Sequence, residues 1–75
     1  MSKDINSQNI NDKEMTVKLT FGKITASVDT LCWLLFRLGS LCVYYRQEGH
    51  KGLEEKTIKD CDTIEDALYD VGYYD

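Results

Sequence analysis

Apolar and polar positions alternate strictly along one early stretch of the chain. Met15, Val17, Leu19 and Phe21 are separated by Thr16, Lys18 and Thr20, and Ile24, Ala26 and Val28 by Thr25 and Ser27. A period of two is that of a strand with one buried face. A two-residue loop at Gly22-Lys23 would pair Phe21 with Ile24, Leu19 with Ala26 and Val17 with Val28, all on one face. Glycine in the first loop position suits a type II′ turn. The period then changes. Asp29-Thr30 offers an N-cap, Leu31, Leu34, Leu35 and Leu38 recur at helical spacing, and Gly39 offers a stop. Trp33 and Phe36 fall off that stripe.

Leu41 to Arg46 can be read in two ways. Its aromatic and β-branched content favours a strand, with Leu41, Val43 and Tyr45 on one face and Cys42 and Tyr44 on the other. One continuous helix from Leu31 to Glu48 is the competing reading. On the strand reading, Gly49-His50-Lys51-Gly52 is a turn and Leu53 to Lys59 a charged edge strand. Asp62 or Thr63 then caps a last helix with Ile64, Ala67, Leu68 and Val71 as its apolar stripe and Gly72 at its end. The expected order is ββαββα, an α+β fold with an antiparallel sheet built from two hairpins and two helices. Residues 1–13, rich in Asn, Ser, Gln and Asp, read as a flexible polar tail ahead of a single domain, 14–75.

Composition narrows the function. A chain of 75 residues is one domain, too short to build most enzyme sites and marginal in stability on its own. Cys32, Cys42 and Cys61 are odd in number and irregular in spacing. With no secretory pattern at the start, the expectation is a reducing cytoplasm and no disulfide framework. The longest apolar run, Leu31 to Phe36, is far short of a membrane span. Neither these cysteines nor His50 have metal-ligand spacing, and no phosphate loop or catalytic motif is present, so no metal, cofactor or enzyme activity is expected.

Charge changes the picture most. The net charge is −4, yet residues 1–59 carry 9 bases and 7 acids, a balance of +2. All the excess negative charge lies after them, in Asp60, Asp62, Glu65, Asp66, Asp70 and Asp75, with no base among them. Asp62, Asp66 and Asp70 are four apart, so a helix would carry them on one face about 6 Å apart along its axis. Tyr69, Tyr73 and Tyr74 are interleaved with these acids, and tyrosines among carboxylates pack well against Arg and Lys stems. Direct binding to nucleic acid or an anionic membrane is disfavoured by the acidic balance, whereas a basic protein is favoured. Trp33, Phe36, Cys42 and Tyr44 are left outside the inferred core faces, and Trp33, Phe36 and Tyr44 suggest a dimer interface.

With its short polar start, α+β middle and acid-and-tyrosine end (DCDTIEDALYDVGYYD), the chain resembles small phage-encoded host-takeover proteins. Among these it is similar in size and acidity to the phage inhibitor of the bacterial histone-like protein HU, a DNA mimic. The resemblance rests on size, charge and layout over the whole chain. It implies a homodimer whose acidic surface occupies the DNA-binding site of an HU-like protein, with the acids from Asp60 to Asp75 standing in for phosphates. The expected function is therefore non-enzymatic inhibition of a basic DNA-binding host protein, in the host cytoplasm or nucleoid. The alternative is inhibition of a replication or transcription protein through an apolar interface.

Overall fold

The computed structural model describes residues 13–74, so the expected tail, apart from Lys13, and Asp75 lie outside the described residues. The chain runs β1 (Glu14–Leu19), β2 (Gly22–Ser27), α1 (Val28–Glu48) and α2 (Lys51–Asp70). The fold is α+β, but the order is ββαα, not ββαββα. The second hairpin expected over residues 41–59 is replaced by the end of one helix and the start of the next.

The cause lies in the spacing of the buried positions. Along α1, Val28 and Leu31 are buried and Leu35, Leu38, Cys42 and Tyr45 half-buried. These positions follow one another at alternating steps of three and four, the seam of a helix that packs on a neighbour. The seam continues past Gly39, so packing on both sides outweighs the ~1 kcal/mol that a helical glycine costs. Gly49 ends α1 instead. It adopts φ 78°, with the Gly49 N–H donating to Arg46 O at 3.2 Å and the His50 N–H to Tyr45 O at 2.8 Å. This is a Schellman closure. Gly72 closes α2 in the same way at φ 77°, with Tyr73 N–H donating to Leu68 O at 3.0 Å.

In α2 the seam is formed by Thr57, Asp60, Ile64 and Leu68. Its first half is polar, which is why the apolar pattern alone starts the helix a dozen residues late. Thr63, expected near the cap, lies mid-helix, and its hydroxyl donates to Lys59 O at 2.9 Å. At the start of α1 the cap is Ser27 rather than Asp29-Thr30, with the Ser27 hydroxyl accepting from Thr30 N–H at 3.2 Å.

The first hairpin forms, but in a different register. Leu19 pairs with Gly22, Val17 with Ile24 and Met15 with Ala26, around a loop of Thr20 and Phe21. The loop moves two residues toward the N-terminus and each strand partner changes by four, an even number, so the paired side chains keep their expected face, while Phe21 enters the loop and is 82% exposed. Among the described residues no non-glycine residue has a positive φ, so neither primed turn is made, and Gly22 takes the positive φ (139°) just after the loop. Two anchors explain the shift. Ser27 is taken by the helix cap, which removes Val28 from the strand, and Thr20 is held by α2. The hairpin covers one end of the helix pair, β1 against α2 and β2 against α1. Val17, Val28, Leu31, Ile64 and Leu68 form the core there.

Candidate functional site

The predicted acidic surface divides in two. Asp60 belongs to the fold: it is 7% exposed, and its Oδ1 accepts from Thr20 N–H and from the Thr20 hydroxyl, each at 2.6 Å. It is therefore removed from any solvent-facing field. Asp62, Glu65, Asp66 and Asp70 are exposed; Asp62, Asp66 and Asp70 lie on the side of α2 opposite its buried seam, and Glu65 lies on the flank next to Cys61 and Tyr74. From Asp62 to Asp70 they span about 12 Å of helix axis. Among the described residues none of them forms an ion pair, in contrast to Glu54, whose Oε2 accepts from Arg46 Nε at 2.8 Å across the helix junction.

Tyrosines close the C-terminal end of this row. Tyr69 and Tyr74 have ring centroids 4.6 Å apart, and Tyr73 and Tyr74 are 5.4 Å apart, nearly edge to face. The Tyr74 phenol is pushed up from its ordinary pKa, first by burial and then by the Glu65 carboxylate. The Tyr73 phenol is also raised, chiefly by its hydrogen bond with the Cys32 thiol. The last acids of the row and the tyrosines thus share the C-terminal end of α2, where the contact of Tyr73 with Cys32 places them beside the start of α1.

The predicted dimer residues Trp33, Phe36 and Tyr44 are all exposed, on the face of α1 opposite its buried seam. The Arg37 guanidinium lies over the Trp33 ring, 5.5 Å from its centroid. By length and composition α1 is a helix that could cross a membrane, which the short apolar run had not suggested. Its inner seam is nevertheless occupied by the charged helix α2 and by the hairpin.

A second feature escaped sequence reasoning. Where the hairpin ends and the helix pair continues, an apolar groove of about 310 Å³ opens between Phe21, Ile24, Leu38, Leu41, Tyr45 and Leu53. Lys23 and Lys56 stand at its rim, with the Lys56 ammonium 5.7 Å from the centroid of the Phe21 ring. The strand reading of residues 41–46 and 53–59 hid it by assigning these side chains to a sheet. Cys32, Cys42 and Cys61 are free and half-buried, and no group of residues able to hold a metal ion exists among the described residues. No protein-family model matches the chain, and neither does any curated protein or solved structure.

Proposed function

We propose that the protein is a non-enzymatic binder of a basic DNA-binding protein, HU-like in kind, and that it acts in the cytoplasm or nucleoid of a host cell by covering the partner's nucleic-acid site. The observation that carries this reading is the row of Asp62, Glu65, Asp66 and Asp70, exposed, unpaired among the described residues and ending in a tyrosine cluster. Four carboxylates on one helix steer a cationic groove toward them and pair with Lys and Arg that otherwise neutralise phosphates. The tyrosine rings offer faces for the cationic stems. The contact surface is narrower than the six acids of the sequence, because Asp60 serves the fold.

The test is complex formation with a purified HU-type protein at low and moderate salt, with duplex DNA as competitor. Binding should weaken steeply with salt, DNA should displace the protein, and Asp62→Asn, Asp66→Asn and Asp70→Asn together should lower affinity by about tenfold or more. Undiminished affinity in the triple variant overturns the reading, as does the absence of any complex with basic nucleoid proteins at low salt. A second reading rests on the apolar groove between Phe21 and Leu53, which suits an apolar segment of a replication or transcription protein. Such binding would change little with salt and would be lost in Leu41→Glu.

A further inference from the structure

The groove beside the hairpin tip has an apolar body and one charged end. Leu38, Leu41, Tyr45 and Leu53 line it along the helix pair, and Ile24 and Phe21 close it on the hairpin side. From Leu38 to Tyr45 it follows about 10 Å of the axis of α1. Its volume is about 310 Å³, room for about ten methylene groups at the packing density of a protein interior. At the hairpin end stand Lys23, next but one to Phe21 in the chain, and Lys56, whose ammonium lies over the Phe21 ring. Next to Tyr45 and Leu53 in the chain, Arg46 and Glu54 cancel one another in an ion pair at 2.8 Å.

The basic end is wider than these two lysines. Lys18 and Lys23 are direct partners across the hairpin ladder, both exposed, and like charges placed opposite one another destabilise a sheet. Lys18 and Lys59 line a smaller cleft beside Thr20. Four ammonium groups thus gather around the hairpin tip, and among the described residues no carboxylate forms an ion pair with any of them. Asp60 lies among them, but it is buried and its Oδ1 is turned to the two Thr20 donors. On a chain with a net charge of −4, this corner is locally cationic.

We propose that the groove binds a free single-chain anionic amphiphile of the fatty-acid class, with its tail along Leu38, Leu41, Tyr45 and Leu53 and its carboxylate between Lys23 and Lys56. The charge distribution selects this occupant: cations at one end of an apolar slot match one head and one tail. The walls select a free ligand over a bilayer surface. Leu41 and Leu53 are each 42% exposed and Leu38 and Tyr45 half-buried, so the slot takes a chain into the protein and leaves Phe21 alone standing clear at its mouth. Tail burial supplies most of the affinity, since an exposed ion pair adds little and serves to orient the ligand. The inference is independent of the acidic row, and it gives the groove an occupant other than a protein segment.

The test is calorimetric titration of the full chain with saturated fatty acids of rising length, each below its micelle concentration, with decanol as the uncharged arm. Affinity should rise by about threefold to fourfold per methylene and level off near about ten carbons, where the tail outgrows the groove. Lys23→Gln combined with Lys56→Gln should weaken decanoate binding by about fivefold to tenfold and leave decanol binding unchanged. Phe21→Glu, at a position 82% exposed, should remove decanoate binding without lowering the melting temperature, because it sets a second carboxylate between the lysines. Leu41→Glu should remove it by breaking the apolar wall. The absence of binding at every chain length overturns the proposal, as does undiminished decanoate affinity in the double lysine variant. Binding to phosphatidylglycerol vesicles but not to free decanoate would make the site a membrane surface and reject it. An acidic amphipathic peptide that binds in a Leu41-dependent manner and is not displaced by decanoate would return the groove to a protein segment and reject it too.

Discussion

Asp60 shows how one carboxylate can be withdrawn from a surface and spent on the fold. It joins the tip of the hairpin to the middle of α2 through a single oxygen that accepts both Thr20 donors. Hydrogen bonds to a charged acceptor contribute about 1.5–3 kcal/mol. Asp60→Ala should therefore destabilise the protein by about 2–3 kcal/mol, and Asp60→Asn, which keeps an acceptor oxygen, by less. Urea unfolding followed by circular dichroism checks this, and an unchanged midpoint in Asp60→Ala would remove the anchor from the account of the hairpin register. At Cys61, burial pushes the thiol up from its ordinary pKa of 9.0, with Cys42 adding to the effect, and the Tyr73 and Tyr74 phenols are raised from 10.0. All three groups hold their protons more tightly in the folded chain. Stability should thus be intact below about pH 9 and fall as pH rises through the raised values. Thermal melts between neutral and alkaline pH measure this, and Cys61→Ala should flatten the first part of the fall.

At the scale of elements, the glycines decide where helices end, and their conformations separate two that look alike in sequence. Gly39 lies inside α1 with open space where a Cβ would go, whereas Gly49 has the same open space but a φ of 78°. Gly39→Ala should stabilise by about 0.5–1 kcal/mol through helix propensity, and Gly49→Ala should destabilise by about 1 kcal/mol through left-handed strain. Melting of the two variants shows whether the signs are opposite. Period-two alternation carries the existence of the first hairpin and the face of its paired residues, but not the places of Phe21 and Val28, which the structure puts in the loop and in α1. Its register does not follow from alternation, because any even change of partner leaves the faces unchanged, and the Ser27 cap together with the distant contact of Thr20 with Asp60 selects the observed one. For α1 the competing reading as one long helix was present in the sequence. The strand reading rested on β-branched and aromatic residues at 43–45, and the inner seam overrides that local preference. For α2 nothing apolar marks the first half, because Thr57 and Asp60 occupy seam positions as polar groups satisfied by hydrogen bonds. Of the site, Asp62, Glu65, Asp66, Asp70, Trp33, Phe36 and Tyr44 could be found by pattern and charge. The burial of Asp60 and the groove could not, since both depend on where the hairpin tip meets the helices.

Over the whole molecule the acids sit where they cost stability. A helix starting near Thr63 would hold them at its N-terminus, where the macrodipole favours negative charge. Because α2 starts at Lys51, Asp66 and Asp70 lie instead in its last turns, where the dipole is unfavourable and no basic residue stands in the last turn. Asp62, Asp66 and Asp70 also repel one another at i, i+4 spacing by a few tenths of a kcal/mol per pair. Reversing one charge should relieve both effects. Asp70→Lys should stabilise the protein by about 0.5–1.5 kcal/mol, and added salt, which screens the same repulsions, should shrink that gain. If the row exists to meet a basic partner, the same substitution should weaken that binding, so stability and affinity should move in opposite directions. Thermal melts at two salt concentrations and a titration with an HU-type protein measure the two quantities on one variant. A destabilised Asp70→Lys would show that the dipole and repulsion argument is wrong. A stabilised variant that binds as tightly as the parent would leave the fold intact and remove Asp70 from the contact surface.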